Sequence, residues 1–407
     1  MSVTVPLWNP KPAYAHNVDP TPSGGVKVRD GKLNIASMVC DIGWSSGSVA
    51  LVQSRARLWK ITRGVVGYSI GAVPGAGDLT LVDYGDHMSG ASVGTTVFWS
   101  NGYERGIIEG DDDSRFWGMP RPNPVLTVAK LSGSMGQGRY LLAFTFIRAD
   151  GYESAPSDYV AVDLLAGEEL ALSGLANGVP SNAVATNVYV TFPDGDVLRL
   201  LASVSAGTDT LRIWTINQLG MLLADFLEGD PPPAGIRCLT LAWGRIVGVV
   251  DNVVFWSGGD FERFKIDESF IQFSSRITGL GFLVDSLLIG TTTGVYRLSG
   301  GFPEEGNDGS SLTDVRGDIG GMVEGSLSID PRSPNRLMWV SNGGKIFEAI
   351  SGGTINQVAD MELPDLRWIG CYAGIHPVTG VYVFNPVIEA VTGSISINLP
   401  TIITAAP

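Results

Sequence analysis

Several residue types that define common classes of protein are scarce in this sequence. The 407 residues include three cysteines, Cys40, Cys238 and Cys371, which lie far apart in apolar segments. An odd and dispersed set of cysteines supports neither a disulfide framework nor a C-x-x-C metal site, so we expect buried free thiols in a reducing compartment. The N-terminus lacks the basic and apolar regions of a secretory signal, and no run of about 18 apolar residues forms a transmembrane helix.

Positive charge is also scarce. The chain has 27 Lys+Arg against 41 Asp+Glu, a formal net charge of -14. Tight binding of nucleic acid needs clustered basic residues, and no such cluster is present. The composition is 44% hydrophobic and 17% charged, which provides apolar material for a large core and argues against global disorder.

The motifs of the common enzyme classes are absent. The three histidines, His16, His87 and His376, are isolated, and the sequence contains no H-E-x-x-H, no G-x-S-x-G and no glycine-rich phosphate loop. A glycosidase needs only two carboxylates, which sequence spacing cannot exclude. The repeated S-x-D-x-G-x-x-W boxes of sialidase-type propellers are missing, however. We therefore predict that the protein is not an enzyme and has no cofactor.

Turn-forming residues are abundant, with 53 glycines and 23 prolines that separate short apolar segments, as between β-strands. From residue 236 onward, strand–turn–strand units recur with turns at Asp251-Asn252, Thr293-Gly294, Asn342-Gly343 and Thr379-Gly380. Their spacing of roughly 36 to 50 residues predicts the four-stranded blades of an all-β β-propeller. Amphipathic strands of a β-sandwich are the alternative.

The string Val-Phe-Trp-Ser occurs twice, at 97–100 and at 254–257, each time followed by glycine, an aromatic residue and Glu-Arg. We interpret both copies as an outer blade strand with its exit turn, reused around a ring. We expect Trp99 and Trp256 to pack between blades, and a platform for stacking sugars is the alternative.

Residues 124–231 interrupt the period. Turns at Asp150-Gly151 and Asp194-Gly195 separate alternating strands, which predicts a small β-sandwich of the immunoglobulin or fibronectin type III class. Proline-rich segments flank this region. We therefore predict a propeller formed by residues 1–123 and 232–407, with 124–231 as an inserted domain. Residues 214–227 predict a short helix.

Two acidic segments are candidate sites. A weak metal candidate follows Gly110, since hard cations prefer several oxygen ligands, but it lacks EF-hand spacing and a solvated turn is the alternative. A polar loop at 300–311 is a candidate contact surface, with an ordinary interblade loop as the alternative. The candidate residues are Asp111, Asp112 and Asp113 for the metal, and Glu304, Glu305 and Asp308 for the contact loop.

Taken in order, several segments resemble the tail nozzle proteins of short-tailed bacteriophages, also called packaged-DNA stabilization or tail hub proteins. The resemblance spans residues 20–385, but the "RPG" that often follows the first blade motif is absent and the final "AVTGSISINLPTIITAAP" has no counterpart. The segments are "VFWSNGYERGIIEGDDDSRFWGMPRPNP", "GQGRYLLAFTFIRADGYESAPS", "NVYVTFPDGDVLRLL", "PPPAGIRCLTLAWGRIVGVVDNVVFWSGGDFERF" and "ITGLGFLVDSLLIGTTTGVYRLSGG".

The resemblance implies a structural virion protein. In that family a β-propeller with an inserted β domain forms a ring, usually a homohexamer, whose channel retains packaged DNA and conducts it at ejection. The implied partners are further copies of the chain, portal and adaptor proteins, a tail needle or plug, tail fibres or spikes, and packaged double-stranded DNA. The implied location is the short, non-contractile tail, assembled in the host cytoplasm.

The acidic composition fits a channel wall that does not bind phosphates. Two alternatives stay open: a carbohydrate-binding or glycan-hydrolysing propeller, and a scaffold propeller that binds a peptide through its loops.

Overall fold

The computed structural model describes part of the chain. Before residue 89 it describes only strands. The other described ranges are 89–100, 102–109, 115–123, 127–217, 219–223, 229–304, 309–315, 319–330, 333–360, 368–375, 382–388 and 401–403. All regular secondary structure in these residues is β.

The strands are, in chain order, β1 (Val18–Pro20), β2 (Val26–Val28), β3 (Ser48–Ser54), β4 (Arg57–Arg63), β5 (Gly67–Ala72), β6 (Leu79–Val82), β7 (Ser89–Val93), β8 (Thr96–Ser100), β9 (Arg105–Glu109), β10 (Arg115–Phe116), β11 (Thr127–Ser132), β12 (Gly138–Arg148), β13 (Val160–Leu164), β14 (Glu168–Ser173), β15 (Ala183–Val190), β16 (Arg199–Ser205), β17 (Thr210–Ile213), β18 (Arg237–Ala242), β19 (Arg245–Val250), β20 (Val253–Trp256), β21 (Phe270–Gln272), β22 (Ile277–Leu283), β23 (Ser286–Thr291), β24 (Val295–Ser299), β25 (Ser311–Asp314), β26 (Ser328–Asp330), β27 (Ser333–Val340), β28 (Lys345–Ile350), β29 (Thr354–Asp360), β30 (Trp368–Ile375), β31 (Tyr382–Ile388) and β32 (Thr401–Ile403).

The chain divides into two compact units. The first contains Met1–Arg115, Ala234–Trp256 and Glu268–Pro407, and the second contains Phe116–Pro233 and Ser257–Asp267.

In the first unit, antiparallel four-stranded sheets follow one another along the chain. Their strands pair in sequence order: β3 to β6, β7 to β10, β18 to β21, β22 to β25 and β26 to β29, followed by the three-stranded sheet β30 to β32. The first strands of neighbouring sheets contact each other, as β3 contacts β7, β7 contacts β18, and β18 contacts β22. This all-β arrangement is consistent with a β-propeller, which confirms the expected fold class at that level.

Interior strands of the first unit such as β19 and β23 are buried on both faces, which explains their nearly continuous apolar sequence. In β23, Leu287 and Ile289 pack with the preceding sheet, whereas Leu288 packs with the following one. In β27, Trp339 faces one core and Val340 faces the next. Because successive side chains of a strand point to opposite faces, each sheet contributes to two cores.

The predicted hairpins are confirmed where the structure describes them. Asp251-Asn252 joins β19 to β20, the segment containing Thr293-Gly294 joins β23 to β24, and the segment containing Asn342-Gly343 joins β27 to β28. Strands β30 and β31 also pair, although Thr379-Gly380 itself lies outside the described residues.

The interpretation of Val-Phe-Trp-Ser as an outer strand is wrong. The first copy lies in β8, the second strand from the end of its sheet, and the second copy runs through β20, the third strand, so both occupy interior positions. Trp99 is 2% exposed and Trp256 is 0% exposed, so both tryptophans pack in the core and neither forms a sugar platform. The shared string reflects burial of an interior strand, because any such strand selects large apolar residues.

The second unit contains two sheets that share an apolar core. One has the strand order β11-β14-β17 and the other β13-β12-β15-β16. Tyr140, Leu142 and Phe144 alternate along β12 and pack in one cluster with Leu170 and Leu172 of β14.

Two further expectations concern local structure. The helix predicted for 214–227 is wrong where the structure describes this segment, because 214–217 and 219–223 are not helical. Instead, Leu200 N–H donates to the Met221 carbonyl at 2.8 Å, so the segment extends along the edge of β16. Cys238 is a free, half-buried thiol, while Cys40 and the side chain of Cys371 lie outside the described part of the chain.

Candidate functional site

Only one of the predicted site residues lies in the described part of the chain. Glu304 is described and exposed, whereas Glu305 and Asp308 of the same loop are outside the described residues, as are Asp111, Asp112 and Asp113. Among the described residues, no group of three or more His, Cys, Asp or Glu side chains is placed to hold a metal ion. The metal candidate therefore stays a sequence prediction.

The Glu304 carboxylate anchors the start of its loop to the sheet β18–β21. The indole Nε1 of Trp256 donates to Glu304 Oε1 at 2.7 Å, and Arg245 Nη2 donates to Oε2 at 3.0 Å. A buried indole N–H requires an acceptor, and a carboxylate supplies one with the added strength of its charge. The negative charge of the Glu304 carboxylate also compensates the positive charge of Arg245.

Beside Glu304 lies a cluster of four aromatic rings, which we call the Trp243 cluster: Trp243, Trp256, Phe282 and Phe302. The Trp256 and Phe302 rings stack with centroids 4.6 Å apart and an interplanar angle of 14°. Trp243 meets the edges of Phe282 and Phe302 at 5.0 Å in each case. Edge-to-face and stacked pairs of this kind each contribute about 0.5–1.5 kcal/mol beyond burial.

Local backbone geometry explains the position of Trp243. Trp243 and Gly244 connect β18 to β19, with φ angles of 45° and 72°. A two-residue hairpin turn with positive φ at both positions is type I′, which favours Asn-Gly. A tryptophan in the left-handed region costs roughly 1–2 kcal/mol. The ring contacts offset that cost.

The rim of the Trp243 cluster is accessible. Trp243 is half-buried, and Pro303 and Glu304, which directly follow Phe302 of the cluster, are exposed. A fixed indole ring next to an arginine and a carboxylate offers both an apolar contact and directed hydrogen bonds. These are the properties of a binding surface.

Sequence reasoning identified Glu304 but missed Trp243 and Arg245. The available signal was the dipeptide Trp-Gly between two apolar runs, which has the spacing of a two-residue hairpin. The ring contacts themselves have no sequence signal, because Trp243, Phe282 and Phe302 come from three separate segments of the chain.

The Glu-Arg pair after the second Val-Phe-Trp-Ser copy forms a polar cluster within the second unit. Glu262 accepts hydrogen bonds from Arg148 Nη1 at 2.9 Å and Nη2 at 3.1 Å. Arg148 and Arg263 lie on the ring of Tyr152, with guanidinium carbons 4.4 and 4.7 Å from its centroid. Asp260 pairs with Arg263 at 2.7 Å. The charges compensate each other, so this cluster serves packing.

No protein-family model matches the chain, and no curated protein matches it. Solved structures that are similar include the β-propeller domain of Cps50 (Swd1) from Myceliophteria thermophila, at 9% identity and a TM-score of 0.36 over 92% of this chain and 97% of that chain. The Pan2 WD40 domain of Neurospora crassa gives 9% identity and 0.33 over 84% and 86%. YCF48 from Cyanidioschyzon merolae gives 10% and 0.34 over 84% and 93%. These similarities concern the fold alone.

The resemblance to phage tail nozzle proteins is therefore wrong, since these three structures come from cellular organisms and none is a tail nozzle. The predicted function, a virion ring that retains and ejects DNA, is wrong for the same reason. The carbohydrate-binding alternative has no support either. The strings that carried the resemblance fall in strands and turns of both units, and burial selects large apolar residues in such strands regardless of function. The implied partners and location remain untested.

No helix among the described residues is long and apolar enough to cross a membrane.

Proposed function

We propose that this protein is a non-enzymatic scaffold whose first unit binds a partner protein through the surface around the Trp243 cluster. The supporting observation is Trp243 itself. Its ring is held at an unfavourable backbone conformation by two edge-to-face contacts, at the accessible end of a rigid sheet.

Energetic arguments favour protein binding at this surface. Residues that dominate protein interfaces are enriched in tryptophan, tyrosine and arginine, and they lie in well-packed surroundings. Trp243 and Arg245 are of these types, and Arg245 is oriented by Glu304 at 2.9 Å. Side chains that are ordered before binding lose little conformational entropy when a partner docks.

The buried carboxylates of the described residues support a non-enzymatic role. Each is paired with arginine: Glu169 with Arg212, Glu262 with Arg148, Glu324 with Arg237, and Asp330 with Arg336. A carboxylate that compensates a neighbouring cation is committed to structure, whereas a general acid or base must exchange protons with a substrate.

We also propose that the second unit is a β-sandwich of the immunoglobulin or fibronectin type III class, inserted into the propeller. It has seven strands, β11 to β17, and a core shared by two sheets. The chain leaves the four-stranded sheet after β13, passes through β14 in the other sheet, and returns as β15 to pair with β12. Connections of this Greek-key kind are typical of such sandwiches.

Selection from a displayed library of random peptides tests the binding proposal. Peptides selected on the wild-type protein should bind Trp243→Asn about 30-fold more weakly, since removing a central tryptophan costs about 2 kcal/mol. Asparagine tolerates the left-handed backbone of the turn, so the variant isolates the ring.

The control is Leu312→Asn, which removes an exposed apolar side chain from β25 of the same unit. It should leave peptide affinity unchanged. Failure to select any peptide, or equal affinity for wild type and Trp243→Asn, would contradict the proposal.

A further inference from the structure

A second polar cluster lies in the first unit, at the opposite end of β18 from Trp243. It contains Arg237, Arg276 and Glu324. Arg237 Nη1 donates to Glu324 Oε1, and Arg276 Nη2 lies 2.8 Å from Oε2 and 3.0 Å from Oε1. One carboxylate therefore serves two guanidinium groups.

The three residues come from three consecutive sheets. Arg237 is the first residue of β18, Arg276 directly precedes β22, and Glu324 lies in the turn before β26. These are the first strands of their sheets, and β18 contacts β22. The cluster therefore lies where the first strands begin, and its position is fixed by three sheets.

The charges in this cluster do not balance. Glu324 is 8% exposed and Arg237 is 13% exposed, whereas Arg276 is 48% exposed and reaches solvent. Within the described part of the chain, Glu324 is the only carboxylate that pairs with either arginine. The cluster thus holds an excess positive charge in a protein whose formal net charge is -14.

The nearby thiol does not compensate this charge. Burial raises the pKa of Cys238 to about 11, an effect that Arg237 and Arg276 oppose. The thiol is therefore neutral at pH 7.

Arg276 retains unused hydrogen-bond donors. Both of its contacts with Glu324 are made through Nη2, and no described residue accepts a bond from its Nε or Nη1. A guanidinium carries five N–H donors in a planar arrangement that matches the oxygens of a phosphate or carboxylate. Arg237, by contrast, also donates from Nη2 to the Ile277 carbonyl at 3.3 Å, which holds it in place.

We propose that Arg276, supported by Arg237, forms a binding site for a single oxyanion, either a phosphate or a carboxylate group. Arg276 supplies the direct hydrogen bonds through the two N–H groups of Nη1, since its Nε–H lies on the other edge of the planar guanidinium, beside Nη2. Arg237 adds positive charge from a fixed position, and Glu324 orients both guanidinium groups while limiting the affinity through its own negative charge.

Isothermal titration of the full-length protein with inorganic phosphate, and separately with acetate, tests this site. We expect saturable binding of at least one anion, and the two titrations distinguish a phosphate site from a carboxylate site. Arg276→Gln should weaken the binding at least tenfold. This variant should fold, because Glu324 keeps Arg237 as its partner.

Arg121→Gln is the matched control, because it removes the same charge from an arginine of similar exposure, 44%, that pairs with Asp230 in the second unit. It should change the affinity less than twofold. Absence of saturable binding to the wild type, or equal weakening in both variants, would overturn the proposal, since the second result indicates only a general effect of net charge.

Glu324→Gln provides a second test with the opposite sign. It removes the carboxylate that competes with the anion, so the affinity should increase severalfold if the circular dichroism spectrum shows that the fold is kept. Weaker binding in a folded Glu324→Gln variant would overturn the role given to Glu324. If this variant does not fold, the comparison of Arg276→Gln with Arg121→Gln decides the proposal.

Discussion

Buried charge in the second unit is concentrated at Glu262. Its carboxylate accepts two hydrogen bonds from Arg148 and one from the Gly118 N–H at 3.1 Å. Arg148 is 6% exposed, so water cannot replace the carboxylate if it is removed. Removing one partner of such a pair leaves a buried charge uncompensated, which costs more than the intact pair contributes.

Glu262→Gln should therefore destabilise the protein. We expect the free energy of unfolding to fall by about 3 kcal/mol, because Asp150 is then the one counter-charge left to Arg148 among the described residues. Urea denaturation followed by tryptophan fluorescence measures this change. Asp158→Asn is the control, since Asp158 is fully exposed and lies 4.0 Å from Arg121. It should leave the unfolding curve unchanged, and equal curves for the two variants would contradict the role of Glu262.

Gly118 is required for two separate reasons. Its φ is 75°, and an added Cβ would lie 2.8 Å from the Pro231 Cβ and 2.9 Å from the Glu262 carbonyl oxygen. Gly151 has a φ of 86° but no heavy atom within 4 Å of an added Cβ. Comparing alanine substitutions at the two positions separates backbone strain from overpacking.

We expect Gly151→Ala to lower the free energy of unfolding by about 1 kcal/mol, because alanine is strained in the left-handed backbone conformation. Gly118→Ala should cost a further 1–3 kcal/mol or so, because Pro231 and Glu262 must move. Calorimetric unfolding of both variants provides the measurement. Similar melting temperatures for the two would show that the surroundings of Gly118 adjust without strain.

At the scale of elements, a turn of one sheet in the first unit binds the next sheet. Asp285, in the turn between β22 and β23, accepts a hydrogen bond from the Gly352 N–H at 2.7 Å, and Arg297 Nη2 lies 3.0 Å away. Burial alone would raise the pKa of Asp285. The hydrogen bonds from Gly352 and Ser286 and the charge of Arg297 outweigh that effect and hold the pKa below its usual range.

This contact predicts a pH-dependent contribution to stability. Because the pKa of Asp285 is lower in the folded than in the unfolded protein, its contribution is present above the unfolded value of about 3.9 and is lost as the pH falls through the folded value. Asp285→Asn should lower the melting temperature at pH 5 to 7, and its difference from the wild type should shrink as the pH falls below the unfolded value of about 3.9. Asp314→Asn, an exposed carboxylate of β25, is the control. A difference that persists unchanged at low pH would contradict the prediction.

At the scale of the whole molecule, the second unit is built from two separate parts of the chain. After β20 the chain contributes Ser257–Asp267 to this unit before it continues as β21. In this segment the Phe264 N–H donates to the Asp230 carbonyl at 2.7 Å, and the Phe261 carbonyl accepts the indole N–H of Trp117 at 2.9 Å. The segment completes the packing of the unit.

We therefore predict that a fragment of residues 116–233 is incomplete without residues 257–267. A peptide of that sequence, added in trans, should bind the fragment and raise its melting temperature, because binding to the folded state shifts the unfolding equilibrium. The same peptide with Glu262→Gln is the control and should bind more weakly. A fragment as stable alone as with the peptide would contradict this prediction.

The sequence was sufficient to predict the hairpins but not the site. The turns at Asp251-Asn252 and Asn342-Gly343 were predictable because turn formation depends on a few adjacent residues. The sequence did not reveal which strand of its sheet each Val-Phe-Trp-Ser copy occupies. The second and third strands of a sheet are both buried, so both select the same large apolar residues. The Trp243 cluster and the pairing of Arg276 with Glu324 depend on residues far apart in sequence.

The sequence by itself determined that the protein is all-β, with strands and turns at a regular spacing, because backbone conformation follows from local residue type and alternation. Only the tertiary structure decided which strands lie inside their sheets and which unit receives Ser257–Asp267. It also decided that Glu304 meets Trp256 and that two arginines share Glu324. The reason is physical: these contacts depend on the packing of sheets against each other, and no short-range pattern in the chain encodes that packing.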